Sequence, residues 1–128
     1  MSRRSTQPGV RAPRSISHIL IAAAAVALAT AGCSDPPEVP LGPDGQPDAV
    51  LAEGRDIYSS QCSQCHGVSG GGGRGKKLSD GMSVDRFPEI ADMIEVVEKG
   101  IGSGMPRFDN KLDPDEIEAV VRYVREVL

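Results

Sequence analysis

The sequence predicts an all-α domain, and three observations predict it. Apolar residues recur at three- and four-residue spacing in three separate segments, two of those segments open on strong helix-start signals, and no segment shows the period-two alternation of a strand. The first segment, "DAVLAEGRDIYSSQC", begins at Asp48, a good N-cap residue, and sets Val50, Leu51, Gly54, Ile57 and Tyr58 on one face. Gly54 lowers helix propensity, so a packing reason is expected: without a Cβ it lets another backbone approach. The second segment begins near Pro88 and carries Ile90, Met93, Ile94 and Val97. The third, "LDPDEIEAVVRYVREVL", has Asp113 as N-cap, Pro114 at the first helical position and acidic residues in the first turn. Its stripe is Ile117, Val120, Val121, Val124, Val127 and Leu128, with Tyr123 at the edge.

The 128 residues hold one folded domain and two segments before it. Residues 1–32 carry Arg3, Arg4, Arg11 and Arg14, no acidic residue, and the thirteen-residue apolar run "ILIAAAAVALATA" at 19–31. That length suits the core of a signal peptide and is short of the roughly 20 residues that span a membrane. The run ends at "ATAGC", residues 29–33. Small residues directly before a cysteine resemble the lipobox of bacterial lipoproteins, which implies Cys33 as a lipid-bearing N-terminus after cleavage. The alternatives are ordinary cleavage nearby, leaving Cys33 a free thiol, or a retained N-terminal helix as the anchor. Residues 33–47 follow; within them "SDPPEVPLGPDGQP", with five prolines and two glycines, is expected to be a solvated, semi-extended tether. At about 3.1 Å per residue its fourteen residues would reach roughly 40 Å. The folded unit is then 48–128, small enough to need a staple or a cofactor to complete its core.

Removing residues 1–32 takes away four of the 14 basic residues and none of the 18 acidic ones, leaving a formal net charge of −8. That balance argues against nucleic acid or anionic lipid as a partner. It permits a basic docking patch on a protein partner, and simple solubility explains it equally well.

"SSQCSQCHGVSG", residues 59–70, concentrates Cys62, Cys65 and His66 in five positions. A structural zinc site needs four protein ligands, and the only others are Cys33 on the tether and His18 inside the signal. A redox dithiol belongs at a helix N-terminus in an alternating β/α pattern, whereas this pair follows a helix and no strands are evident. A Cys62–Cys65 disulfide would close a small ring of little stabilising value. Cys-x-x-Cys-His is the spacing of covalent haem attachment: two thiols form thioethers with the vinyl groups, and the next imidazole is held against the iron. An exported chain is where such attachment takes place, and a large apolar macrocycle supplies the core that the domain lacks.

With these features together, residues 48–128 resemble a small bacterial class I cytochrome c domain. "GRDIYSSQCSQCHG" resembles that family's N-terminal helix and attachment motif, "GIGSGMPRF" (100–108) its distal-methionine loop, and "EAVVRYV" (118–124) its C-terminal helix with an aromatic, here Tyr123, packed across the first helix near Gly54. The resemblance implies a cytochrome c-like fold of three to four helices around one covalently attached haem c. Cys62 and Cys65 would be the thioether positions, His66 the proximal ligand and Met105 the distal ligand. One departure stands out. The family often has Gly-Pro-x-Leu after the attachment loop, its proline carbonyl accepting from the axial histidine, whereas this chain has "GKKL" (75–78) with Lys76 in the proline's place.

Two other methionines compete for the distal position: Met82, expected on a loop, and Met93, explained by core packing. "GVSGGGGRGKK" (67–77) lacks the spacing of a phosphate-binding loop and reads as a flexible loop beside the haem, with Arg74, Lys76 and Lys77 as a basic cluster. The expected function is one-electron transfer outside the cytoplasm, without catalysis, with redox proteins of a respiratory or dehydrogenase chain as partners. Attachment to the membrane would be through a lipid or an uncleaved helix. The rivals are a peroxidase or gas sensor with a labile distal ligand, and a fixed electron-entry subunit of an oxidase or dehydrogenase complex.

Overall fold

A computed structural model describes residues 35–128; the signal-like segment and Cys33 lie outside the described residues. The chain forms α1 (Ala49–Ile57), a π-helical turn (Tyr58–Cys62), α2 (Ser63–His66), α3 (Met82–Arg86), α4 (Ile90–Lys99) and α5 (Pro114–Glu126). Among the described residues there is no strand, only two isolated bridges, Leu41 with Pro47 and Ile101 with Met105. None of the described helices is long and apolar enough to cross a membrane.

The helix starts follow the sequence. The Asp48 carboxylate accepts from the Val50 and Leu51 amides at 2.8 and 3.1 Å. Asp113 and Glu116 form a reciprocal capping box, each side chain accepting from the other's amide at 2.9 and 2.8 Å. Gly100 ends α4.

Helices α1 and α5 share the largest packing interface, and α4 lies against α5. Gly54 is the crossing point of α1 and α5. A Cβ there would stand 2.1 Å from the Ala119 carbonyl oxygen and 2.8 Å from the Tyr123 Cβ, so only glycine permits the approach. Around it Leu51, Ile57, Val120 and Val124 are buried, and Tyr58 and Tyr123 are fully inaccessible. The two rings meet at 5.7 Å between centroids and 47°, a tilted arrangement that adds to their area burial. Tyr123, at the stripe's edge by helical position, is fully buried because α1 covers that edge at Gly54. Val50 and Ile90, expected on buried faces, are exposed at the ends of their helices.

Two further differences arise from contacts remote in sequence. The solvated tether expected over 34–47 is docked in its first half: Pro36 and Val39 are buried. The Tyr123 hydroxyl donates to the Pro37 carbonyl at 2.6 Å, and Arg55 binds the Pro36 and Pro37 carbonyls and the Glu38 carboxylate. A buried phenol needs an acceptor, and this strap supplies one. Met82, expected on a loop, opens the short helix α3, which is too brief to show a hydrophobic period.

Candidate functional site

The site is built outward from the end of α1. Ser60 Oγ donates to the Ile57 carbonyl and Ser63 Oγ to the Ser59 carbonyl. Such back-bonding competes with the regular helical ladder. The ladder here widens to one π turn, closed by the Ser63 amide on the Tyr58 carbonyl. This turn delivers Cys62, Cys65 and His66 to the wall of a single cleft. Sequence reading missed the turn; the polar run "YSSQCSQ" is its one signal.

The glycine-rich segment after His66 is a hydrogen-bonded loop folded back on the motif, in place of the flexible loop expected. The Gly72 amide donates to the His66 carbonyl at 2.7 Å, and the Gly75 amide to the Cys65 carbonyl at 2.8 Å. The Tyr58 hydroxyl donates to the Gly67 carbonyl at 2.6 Å. Burial, then the neighbouring Cys62 and Tyr123, raise the Tyr58 phenol far above its ordinary value, so it stays a donor. His66 Nδ1 lies 2.7 Å from the Lys76 carbonyl oxygen. A carbonyl can only accept, so Nδ1 carries the proton and Nε2 keeps its lone pair for a metal. Lys76 thus supplies the bond that the family's proline carbonyl supplies. A Cβ on Gly75 would stand 2.8 Å from two atoms of the imidazole, so this glycine lies flat against the ring and helps hold it.

Across the cleft, Met105 is half-buried on the loop between α4 and α5. Paired hydrogen bonds of 2.9 and 3.2 Å between the Ile101 and Met105 backbones set the loop, and the buried Phe108 amide pins its far end to the Val97 carbonyl. Met93 and Val97 from α4 and Val120, Val121 and Val124 from α5 complete the apolar wall of a cleft of about 560 Å³. Met93 therefore faces the cleft as well as the core, whereas Met82 does not line it.

Cys62 and Cys65 are free thiols. Burial, reinforced by Cys65, pushes the Cys62 thiol up to about 12. That is the reverse of the lowered thiol pKa of a redox dithiol. Among the described residues no three His, Cys, Asp or Glu side chains gather as a metal site. Two adjacent thiols, one imidazole with a free Nε2, a thioether and apolar walls are the donor set that covalently held haem requires. The residues present fit that group.

Residues 49–124 match the family described as cytochrome C oxidase, cbb3-type, subunit III. Over 88 residues the chain is 35% identical to 1-butanol dehydrogenase (cytochrome c) of Thauera butanivorans, covering 65% of this chain but 12% of that much longer protein. Cytochrome c6 of Chlorolobion braunii is 30% identical over 81 residues, 60% of this chain and 90% of the relative. The solved structure of the KustC0563 c-type cytochrome superposes with a TM-score of 0.50 at 30% identity, covering 55% of this chain and 90% of that one.

Proposed function

The chain belongs to the family of cytochrome c oxidase, cbb3-type, subunit III, and from that premise we propose that it is a one-electron carrier with a single haem c in the cleft. Bound haem c supplies a ferric/ferrous couple. Cys62 and Cys65 hold it by two thioether bonds. The Lys76 carbonyl and the flat face of Gly75 fix the His66 ring, so that Nε2 would hold the iron without reorientation. Met105 would hold the iron through its thioether, a soft sulfur that favours the ferrous state. The apolar walls exclude water and lower the local dielectric, which also favours the less charged oxidation state. The observation that carries this reading is the convergence of two free thiols, an oriented imidazole and a loop methionine on one apolar cleft. The peroxidase or sensor reading is less favoured. Among the described residues the cleft's lining contains no acidic side chain and no histidine besides His66, the usual general acid–base groups of such chemistry.

The proposed setting is extracytoplasmic. Residues 1–32 act as the export signal and Cys33 as the lipid-bearing residue, with a retained N-terminal helix as the alternative anchor. The chain spans about an eighth of the dehydrogenase that it matches and most of the small cytochrome. Its partners are correspondingly proposed to be an oxidase or dehydrogenase, as a free carrier or as an electron-entry subunit.

One measurement tests the haem and the anchor together: the intact mass of the protein purified from membranes of a host with haem-attachment machinery. The expected mass is that of residues 33–128 plus one haem and one lipid group. A bare polypeptide mass, with haem extractable into acidified organic solvent, would overturn the haem assignment. Haem without lipid on a chain beginning elsewhere would overturn only the anchor.

A further inference from the structure

The segment that leads from Cys33 to the first helix is almost wholly used up in the fold. Pro36 and Val39 are buried, and the Pro37 carbonyl accepts from the Tyr123 hydroxyl at 2.6 Å and from Arg55 Nε at 3.2 Å. Arg55 also donates to the Pro36 carbonyl at 3.2 Å and to the Glu38 carboxylate at 2.6 Å. The strap is thus fixed to two helices at once, since Arg55 belongs to α1 and Tyr123 to α5. Beyond it the chain doubles back. Leu41 bridges to Pro47, the Gly42 amide donates to the Gln46 carbonyl at 2.7 Å, and the Asp44 carboxylate accepts from the Gln46 amide at 3.0 Å. A closed hairpin of this kind adds no reach. Only Ser34 and Asp35 separate Cys33 from the buried Pro36. Three Cα-to-Cα steps of about 3.8 Å span at most about 11 Å, against roughly 40 Å for the whole segment as an extended tether.

We infer that the strap is a standoff clamp: it holds the strap-bearing side of α1 and α5 against the lipid surface and leaves the cleft on another side of the domain. The inference rests on the reading of Cys33 as the lipid-bearing residue. Neither Arg55, nor Tyr123, nor any residue of the strap lines the cleft. On α5 the cleft is walled by Val120, Val121 and Val124, and Tyr123 lies about 100° round the helix from the middle of that trio. The hairpin after the strap carries Leu41, 68% exposed, an apolar side chain that the headgroup boundary accommodates. A domain of this size is about 30 Å across, so the clamp keeps the cleft within about 40 Å of the lipid surface. A short connection raises the effective concentration of partner sites within its span and removes those beyond it. The partner that fits is a redox protein held in the same membrane with its electron port near the lipid surface.

The test uses the lipid-bearing, haem-loaded protein in phosphatidylcholine vesicles that contain a small fraction of nickel-chelating lipid. Lipid and haem occupy Cys33, Cys62 and Cys65, so a thiol introduced by Leu41→Cys or by Lys111→Cys alone takes a nitroxide label. Nickel at the headgroups speeds the spin relaxation of a nearby label, with zinc in its place as the reference. The enhancement at position 41 should exceed severalfold that at position 111, which lines the cleft. Inserting twelve Gly/Ser residues between Ser34 and Asp35 adds roughly 20 Å of reach. It should lower the enhancement at position 41 severalfold and leave the unfolding midpoint unchanged. Arg55→Gln combined with Tyr123→Phe removes the strap's hydrogen bonds and keeps the aromatic ring. It should lower the enhancement likewise and open the Glu38–Val39 bond to a glutamate-specific protease. The inference is overturned if position 111 is relaxed as strongly as position 41, or if the insertion leaves position 41 unchanged. Failure of the anchor reading shows separately, as a protein whose mass lacks the lipid and which does not sediment with the vesicles, and the clamp falls with it.

Discussion

Gly54→Ala puts a sign to the test. At an exposed helix position, alanine in place of glycine stabilises by about 1 kcal/mol through helix propensity. At Gly54 the added methyl would stand 2.1 Å from the Ala119 carbonyl oxygen, 2.7 Å from its carbon and 2.8 Å from the Tyr123 Cβ. Cβ atoms essentially never approach non-bonded heavy atoms closer than 3.0 Å, so the shortest contact is about 0.9 Å too close. None of the three obstructing atoms can rotate aside: two are α5 backbone, and the third is the first atom of a side chain locked by its hydroxyl on the Pro37 carbonyl. Relief requires α1 and α5 to separate. A gap of that size forfeits a quarter to a half of each dispersion contact across the interface, including the Tyr58–Tyr123 pair. Overpacking of this kind costs about 1–3 kcal/mol, and with immobile neighbours the upper end applies. Subtracting the propensity gain leaves a net loss of about 2 kcal/mol. For a domain of this size that lowers Tm by roughly 8–16 °C. The assay is thermal and guanidinium unfolding of the haem-loaded variant beside the parent. A Tm equal to or above the parent's would refute the reasoning, because it would mean that the crossing relaxes at no cost.

Two further outcomes follow from the site. Met105→Ala should abolish the weak red band of sulfur–iron ligation, open the ferrous protein to carbon monoxide and lower the reduction potential, whereas Met82→Ala should leave all three unchanged; loss of the band in the Met82 variant would move the distal ligand there. Tyr123 is pushed up to about 12, chiefly by burial and secondarily by Glu38 against the opposing effect of Arg55, and Tyr58 is raised further. A phenol whose pKa is higher in the folded chain adds stability that is complete below its unfolded value near 10 and is lost as pH rises through the folded one. Unfolding midpoints should therefore hold to about pH 10 and decline above it while the folded protein still shows little phenolate absorbance, and a midpoint independent of pH between 10 and 12 would contradict the burial of both hydroxyls.

What was legible in the sequence is what contiguous residues decide among themselves. The starts of α1 and α5 rest on Asp48 and Asp113 reaching amides two or three residues ahead, and the apolar spacing of α4 and α5 is a property of one helical surface. Cys62, Cys65 and His66 were readable for the same reason, because their chemistry depends on a five-residue spacing. Gly54 was legible as an anomaly: a glycine inside a helical pattern signals a close approach, although not to which backbone. The rest belonged to tertiary structure. The buried strap at Pro36–Val39 depends on a Tyr123 hydroxyl 86 positions away, and composition alone makes the strap look like solvated linker. The His66–Lys76 bond uses a backbone carbonyl that every residue type carries, so no side chain announces it. The gathering of Arg74, Lys76, Arg86 and Lys111 in the lining of one cleft was likewise invisible, because net charge counts side chains without regard to position. Only the fold determines which cations find carboxylates and which are left facing the cleft.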